Sequence, residues 1–405
     1  MAGWVSLFGF TVTSVRALNY VTIIFVAIGF VFLFRRLGKP SNILADVFLL
    51  LVFLGGAGVS YNYREARPDT LGMLVALLIA LAAISPPPRH RLMFLTAAAV
   101  FAPFTGLQTV AYVALVCATW LVMARRNYAE IVAVAVGVGL GLLALATLYA
   151  MTGTLRLFVE HLPENAKDGA GPLRDVYLSD RSLIPALLAT ACLRFATRHR
   201  VVAERLDLVR FLVLISITTP ISLAIIGKFP ITYAWMAYSP AVLAAMLLMS
   251  EISWRDLDRL GKTATVASVL CLLFAAATFP ARLLVVALEW QARSYRAVEN
   301  FIDQSVTSSD VAYSGFPAYY PVRAKARVAY FEKHIQLMDP AEKAAVTVLV
   351  LDRKDVANTI ALMGGNWTRT GSFMPVLDSV PRHFGLGERG YDLVVMRRIE
   401  SGRRE

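Results

Sequence analysis

The stretch Ala17–Lys39, ALNYVTIIFVAIGFVFLFRRLGK, decides the fold. From Ala17 to Phe34 it carries no charge, and as a helix that segment would rise about 27 Å, close to the ~30 Å hydrocarbon thickness of a bilayer. It ends on Arg35, Arg36 and Lys39, the residues that hold a span's end on the cytoplasmic side during insertion. Working outward, similar apolar runs occupy 43–60, 69–84, 92–105, 108–124, 130–151, 182–197, 210–227, 231–250 and 264–289. With 17–34 they predict about ten spans. The fourth and fifth are short and joined by the tight turn Thr105-Gly106-Leu107-Gln108.

Composition agrees. The 405 residues are 57% hydrophobic and 17% charged, against roughly 45–50% and about 25% in soluble proteins, so the apolar excess must be held in lipid. The net charge of +12 does not indicate nucleic acid, because the basic residues cluster between apolar runs. Cys117, Cys192 and Cys271 fall inside apolar runs and read as packing residues, with neither a disulfide framework nor a metal site implied.

Loop charges alternate. One set holds Arg35, Arg36 and Lys39; Arg89 and Arg91; Arg125 and Arg126; Arg198, Arg200 and Arg205; and Arg255, Arg259 and Lys262, and is therefore cytoplasmic. The other set, 61–68, 105–107, 152–181 and 228–230, is poorer in basic residues and is placed outside, along with everything after about Trp290 and the short N-terminus. Leu155, Phe158, Val159 and Leu162 share a helical face suited to the headgroup plane. Beyond residue 290 the composition changes. Val311–Tyr313, Val346–Leu351 and Tyr391–Met396 read as strands, with helices at Pro317–His334 and Asp355–Met363 and turns at Gly364-Gly365 and Gly385–Gly390. The expected architecture is an all-α polytopic transmembrane bundle over 1–290 and a small extracytoplasmic α/β domain over 291–405.

Two outer-face segments can carry chemistry. Tyr61–Asp69 brings Arg64, Glu65, Arg67 and Asp69 to the mouth of the third span. Pro68 and Asp69 suit the first turn of a helix, and arginines suit the headgroup zone. Equally, the arginines could hold a lipid phosphate while a carboxylate, Asp69 or Glu65, does acid–base work. The second segment holds Lys228 before Tyr233, Trp235 and Tyr238. A lone lysine there either snorkels to the headgroups or lines a cavity for a phosphorylated lipid. Elsewhere, Gly137–Gly141 reads as a small-residue packing face. Glu160, His161, Glu164 and Asp168 match no standard metal-ligand spacing and read as a solvated loop. Asp46 reads as a helix-end charge, and Pro103 and Pro220 as helix kinks.

Three stretches carry a family resemblance: Leu7–Gly38, Tyr63–Ala83 (YREARPDTLGMLVALLIALAA) and Gly227–Leu247 (GKFPITYAWMAYSPAVLAAML). They resemble the GT-C superfamily of polytopic glycosyltransferases, in the protein-mannosyltransferase/aminoarabinose-transferase-like branch of bacterial inner membranes. The resemblance covers most of residues 7–250. It implies an inverting hexosyl or pentosyl transferase that moves a sugar from a polyprenyl-phosphate-linked donor to a lipid, glycan or protein acceptor on the outer face. A divalent cation is allowed by the resemblance but no cofactor is required by it. Asp69 is similar to the family's second acidic position, and Arg64, Arg67, Lys228 and Tyr233 would sit near the donor phosphate. Family members begin with a further helix and an outer loop bearing the main catalytic carboxylate. This chain opens on what resembles the stretch after that loop, so the expectation is an N-terminally shortened member, inactive alone. The other readings are a non-catalytic polyprenyl-lipid-binding protein and a transporter or flippase. The last is disfavoured because the spans carry almost no central ionisable residues.

The sidedness is directly measurable. In a cysteine-free background, Ala66→Cys should react with a membrane-impermeant thiol reagent in intact cells lacking an outer membrane barrier, and Ser41→Cys only after permeabilisation. The opposite labelling would overturn the topology.

Overall fold

The computed structural model describes residues 2–9, 11–38, 42–64, 69–84, 88–124, 128–160, 182–198, 203–225, 231–291, 294–332, 335–375 and 391–399. Every apolar run named above is mainly helical where described, with breaks at Gly56, Phe101 and Ala234. After α1 (Ala2–Phe8) come α2 (Val12–Leu37), α3 (Ile43–Gly55), α4 (Ala57–Arg64), α5 (Asp69–Ala83) and α6 (Pro88–Val100). Next are α7 (Ala102–Thr105), α8 (Leu107–Ala124), α9 (Tyr128–Met151), α10 (Leu183–Ala196), α11 (Ala203–Ile225), α12 (Trp235–Met249) and α13 (Arg259–Leu288). Among the described residues, α2, α9, α11 from Arg205, and α13 are long and apolar enough to cross a membrane, and the bent pair α3–α4 raises the number to five. Helices α5, α8, α10 and α12 are apolar but shorter. Pro103 stands in the first turn of α7, just after the break at Phe101, whereas Pro220 sits within the continuous α11.

The chain packs as two compact units, 15–280 and 2–14 with 281–405. At the centre of the first is α12, buried from Trp235 to Leu248 except at Ser239. A helix apolar all round has to be surrounded on every side. Helices α9 and α13 do the reverse and expose Leu140, Leu143 and Leu148, and Leu270, Phe274 and Leu284. Apolar surface on that scale is unsuited to water and is that of a multi-pass membrane protein. Gly137 and Gly141 let α9 lie directly on α6: a Cβ at either would stand 2.4 Å from the Thr96 carbonyl oxygen or 2.2 Å from that of Val100.

Between α3 and α4 the chain bends by 76° at Gly55–Gly56. A break in lipid exposes backbone groups that no water can satisfy. Here Tyr238 Oη donates to the Val52 carbonyl (2.6 Å), and the Ala57 N–H donates to Ser182 Oγ (3.2 Å). The Tyr238 ring occupies the space where a Gly56 side chain would be, 2.2 Å from its Cβ position. Asp46 lies in the first turn of α3 and pairs with Arg35 (Nε to Oδ2, 3.0 Å).

The second unit carries a five-stranded mixed sheet in the order β2-β1-β3-β5-β4. Its strands are β1 (Val311–Ser314), β2 (Val328–Phe331), β3 (Val348–Asp352), β4 (Trp367–Phe373) and β5 (Leu393–Arg398). The first three run parallel and β5 is antiparallel to both β3 and β4. The helix expected over 317–334 is corrected: it covers only Tyr319–Lys325, after which the chain extends and Val328–Phe331 pairs with β1. A four-residue strand behind a helix leaves little periodicity to read. Strand β4 was not expected at all, because WTRTGSF is polar and largely exposed. The helix Val356–Met363 ends at Gly364 and Gly365, whose φ of 69° and 81° favour glycine. The turn expected at Gly385–Gly390 lies outside the described residues.

Asp310 anchors this unit. Its carboxylate accepts from Arg397 Nη1 and Nη2 (3.0 and 3.1 Å), from the backbone and hydroxyl of Thr307 (2.7 and 2.8 Å) and from Thr347 Oγ1 (3.0 Å). Burial alone would raise its pKa, but the bonds from Arg397, Thr307 and Thr347 outweigh burial and bring it down to about 2. A lowered folded-state pKa contributes stability that is present above the unfolded value near 4 and is lost as pH falls through about 2. Asp310→Asn should therefore cost about 2 kcal/mol at neutral pH and nothing below the lower pKa. Hydrogen exchange of the Val348–Leu351 amides against pH would show it. Equal protection in both proteins at pH 7 would overturn it.

Candidate functional site

The local sequence explains how the two segments singled out above come together. Past the break, α4 runs against the 3₁₀ turn Ile231–Tyr233 because Gly58 has no side chain. A Cβ there would stand 2.7 Å from the Trp235 backbone nitrogen. One turn further along α4, Asn62 Nδ2 donates to Gly58 O (2.9 Å) and across to Thr232 O (2.6 Å). Asn62 and Thr232 are both fully buried. The stretch leading to Arg64–Asp69 is thus fastened to the turn that follows Lys228.

Two further segments join. Asn19 of α2 donates from Nδ2 to Asn62 O (3.4 Å) and accepts from Thr70 Oγ1 (2.8 Å). Gln108 Nε2 donates to Tyr233 Oη (2.5 Å). Gly106, with φ of 132°, makes the turn that delivers Gln108, and Gly72 lets α5 approach the Thr109 hydroxyl. Below this layer the Tyr112 and Trp235 rings meet edge to face at 5.6 Å. Asn62 Oδ1 and Thr232 Oγ1 make no hydrogen bond among the described residues. A buried polar atom of that kind calls for a water or a ligand group.

Of the residues expected to carry chemistry, Asp69 opens α5 next to Thr70, and Tyr233 is buried within the network. Arg64 closes α4. Its side chain, with Glu65, Arg67 and Lys228, lies outside the described residues. Sequence reading missed Asn19, Asn62, Thr70 and Gln108. Single neutral amides inside or beside apolar runs were the signal that would have found them. In the loop 152–181, Glu160 pairs with Arg156 (2.7 Å) and His161, Glu164 and Asp168 are not among the described residues. Among the described residues, no three His, Cys, Asp or Glu side chains gather as a metal site.

The opposite end of the same helices is ionic. Besides Arg35–Asp46 it carries Arg91–Glu130 (3.4 Å), Arg198–Asp258 (3.3 Å) and a contact between Arg205 and the buried Glu251. Between the two ends runs a largely apolar cavity of about 300 Å³, with Met73, Tyr112 and Trp235 toward the neutral network and Leu37, Ile84, Arg91 and Glu130 at the far end. It can take a long apolar chain whose polar head stays at the network.

A helical membrane unit with a polar layer at one end and, in the same chain, a small mixed α/β unit is a fold that this chain shares with a solved protein. It superposes on the crystal structure of ArnT from Cupriavidus metallidurans bound to undecaprenyl phosphate, with a TM-score of 0.56 and 13% identity. The apo form of that protein gives 0.59 and 14%, and in both cases the match covers 99% of this chain and 87% of the other. No family model and no curated protein sequence matches the chain.

The network makes a quantitative prediction. In a double-mutant cycle of Asn19→Leu and Thr70→Val, read by reversible unfolding in detergent, the coupling should be about 0.6–1.7 kcal/mol, the range of interhelical hydrogen bonds in membranes. A coupling of zero would mean that the amide and hydroxyl do not meet.

Proposed function

We propose that this chain is a bacterial inner-membrane glycosyltransferase that uses a polyprenyl-phosphate-linked sugar on the extracytoplasmic face. The observation that carries the reading is the Asn62–Thr232 bond, which fastens the end of α4 to the Ile231–Tyr233 turn beside the mouth of an apolar cavity. Basic loops cluster at the ionic end, which by the positive-inside rule is cytoplasmic and leaves the neutral network outside. The donor's phosphate would be held by Arg64, Arg67 and Lys228, with Tyr233 alongside, and its isoprenoid tail by the cavity. ArnT, bound to undecaprenyl phosphate, supports a ligand of this chemistry on such a fold.

Catalysis would proceed by inversion. Asp69, or Glu65 beside it, removes the proton of an acceptor hydroxyl as that oxygen bonds to the anomeric carbon, and the bond to the donor phosphate breaks. The cations neutralise the charge that develops on the departing phosphate. The acceptor is a lipid, glycan or protein hydroxyl or amine.

The test separates binding from turnover. Purified protein in nanodiscs should bind undecaprenyl phosphate, and Lys228→Ala or Arg67→Ala should weaken binding about 10- to 100-fold, the value of one charge-assisted hydrogen bond. Asp69→Asn should bind normally and lose about 10²–10⁴ in turnover of a polyprenyl-phosphate sugar. Binding that follows the cations with no turnover in any variant would favour a non-catalytic lipid-binding protein. Binding indifferent to the cations would sink the proposal.

A further inference from the structure

The cavity has a charged floor that lipid binding in general does not require. Of its described lining residues only Arg91 and Glu130 are ionic, and they face each other across α6 and α9 at 3.4 Å. Glu130 suits the first turn of α9, where the helix dipole favours an anion. Arg91 is in the opposite situation: it occupies the first turn of α6, the end where a cation is disfavoured. Helix-start chemistry therefore does not account for it. Its pairing with Glu130 at the bottom of an apolar slot does have a consequence for any occupant. Both side chains keep about a quarter of their surface exposed, 29% and 24%, so the pair stays hydrated. An apolar chain end that pushed past it would strip that water from two charges, a step that is strongly unfavourable.

The slot also has a definite depth. Along α5 its lining runs from Met73 to Ile84, about 16 Å at 1.5 Å per residue, roughly half of the ~30 Å hydrocarbon layer. We infer that the Arg91–Glu130 ion pair is a specificity-determining stop, which fixes how much of the donor's lipid tail the protein buries. This rests on the reading of the cavity as the tail site. Tail carbon up to the stop contributes to binding. Carbon beyond it has to leave the slot sideways into the bilayer and contributes nothing.

The experiment measures affinity of the full chain, in nanodiscs, for a graded series of polyprenyl phosphates of increasing length. Wild-type affinity should rise with each added unit and then level off once the slot is filled. Arg91→Leu/Glu130→Leu, which removes both charges and leaves neither unpaired, should move the plateau to longer chains. Its ratio of long-chain to short-chain affinity should rise at least about tenfold, the value of burying roughly two more methylene groups. Ala80→Phe, which fills the slot above the pair, should move the plateau to shorter chains and decides the matter where the double variant does not fold. A plateau unmoved in a folded double variant that binds short chains like wild type would overturn the stop, and so would an Ala80→Phe plateau at the wild-type length. No binding of any polyprenyl phosphate by the wild type would instead overturn the tail-site reading beneath it.

Discussion

A backbone that breaks inside lipid has to find hydrogen-bond partners in the protein, and this chain's site depends on how one such break is satisfied. At Gly55–Gly56 the helix turns by 76°, which would leave a carbonyl and an amide stranded where no water reaches. The Tyr238 hydroxyl and Ser182 Oγ, from two other segments, take those roles. Because the partners are fixed, the direction of α4 after the break is fixed too. That direction, together with the missing side chain of Gly58, lays α4 on the 231–235 turn and lets Asn62 reach Thr232. Remove the break and α4 has no reason to meet the 231–233 turn.

The two ends of the membrane unit solve the problem of polar groups near lipid in different ways. One end uses ion pairs, each with its guanidinium at least partly open to solvent, where charges remain hydrated and individual pairs contribute little to stability. The other end uses neutral amides and hydroxyls, of which Asn19, Asn62 and Thr70 are fully buried and bonded in series. This layer of donors and acceptors holds its segments together without ion pairs. Asp69 stands at the edge of this layer, in the first turn of α5.

How much of this was legible in the sequence follows from the physics of each part. The apolar helices were, since a run such as Ala17–Phe34 has few other readings, but of the ten runs read as spans only four described helices, or five with the bent α3–α4 pair, are long and apolar enough to cross a membrane. The small-residue face at Gly137–Gly141 was visible from its four-residue spacing, and the structure puts both glycines against α6 carbonyls. Within the second unit, β1, β3 and β5 are buried apolar strands and were found. β2 was absorbed into a predicted helix, and β4, an exposed polar edge, has none of the alternation that marks a strand. At the candidate site the charged residues and Tyr233 attracted attention and the neutral amides did not. Asn19 and Asn62 are single letters in apolar or aromatic surroundings. Nothing in their spacing reveals that 43 residues of chain return one to the other.

That asymmetry bears on what a sequence can say about membrane sites in general. Charges near the ends of spans are common, because topology alone demands them, so their presence discriminates weakly between a site and a loop. A buried neutral amide has no topological role and is costly unless it is bonded. It is therefore the more specific mark of a place where segments have to be held in register. In this chain the amide pair Asn19 and Asn62 connects α2, α4, α5 and the 231–233 turn through three hydrogen bonds. The neutral layer thus holds four segments in register. On physical grounds alone, it is the end at which chemistry requiring fixed geometry would be placed.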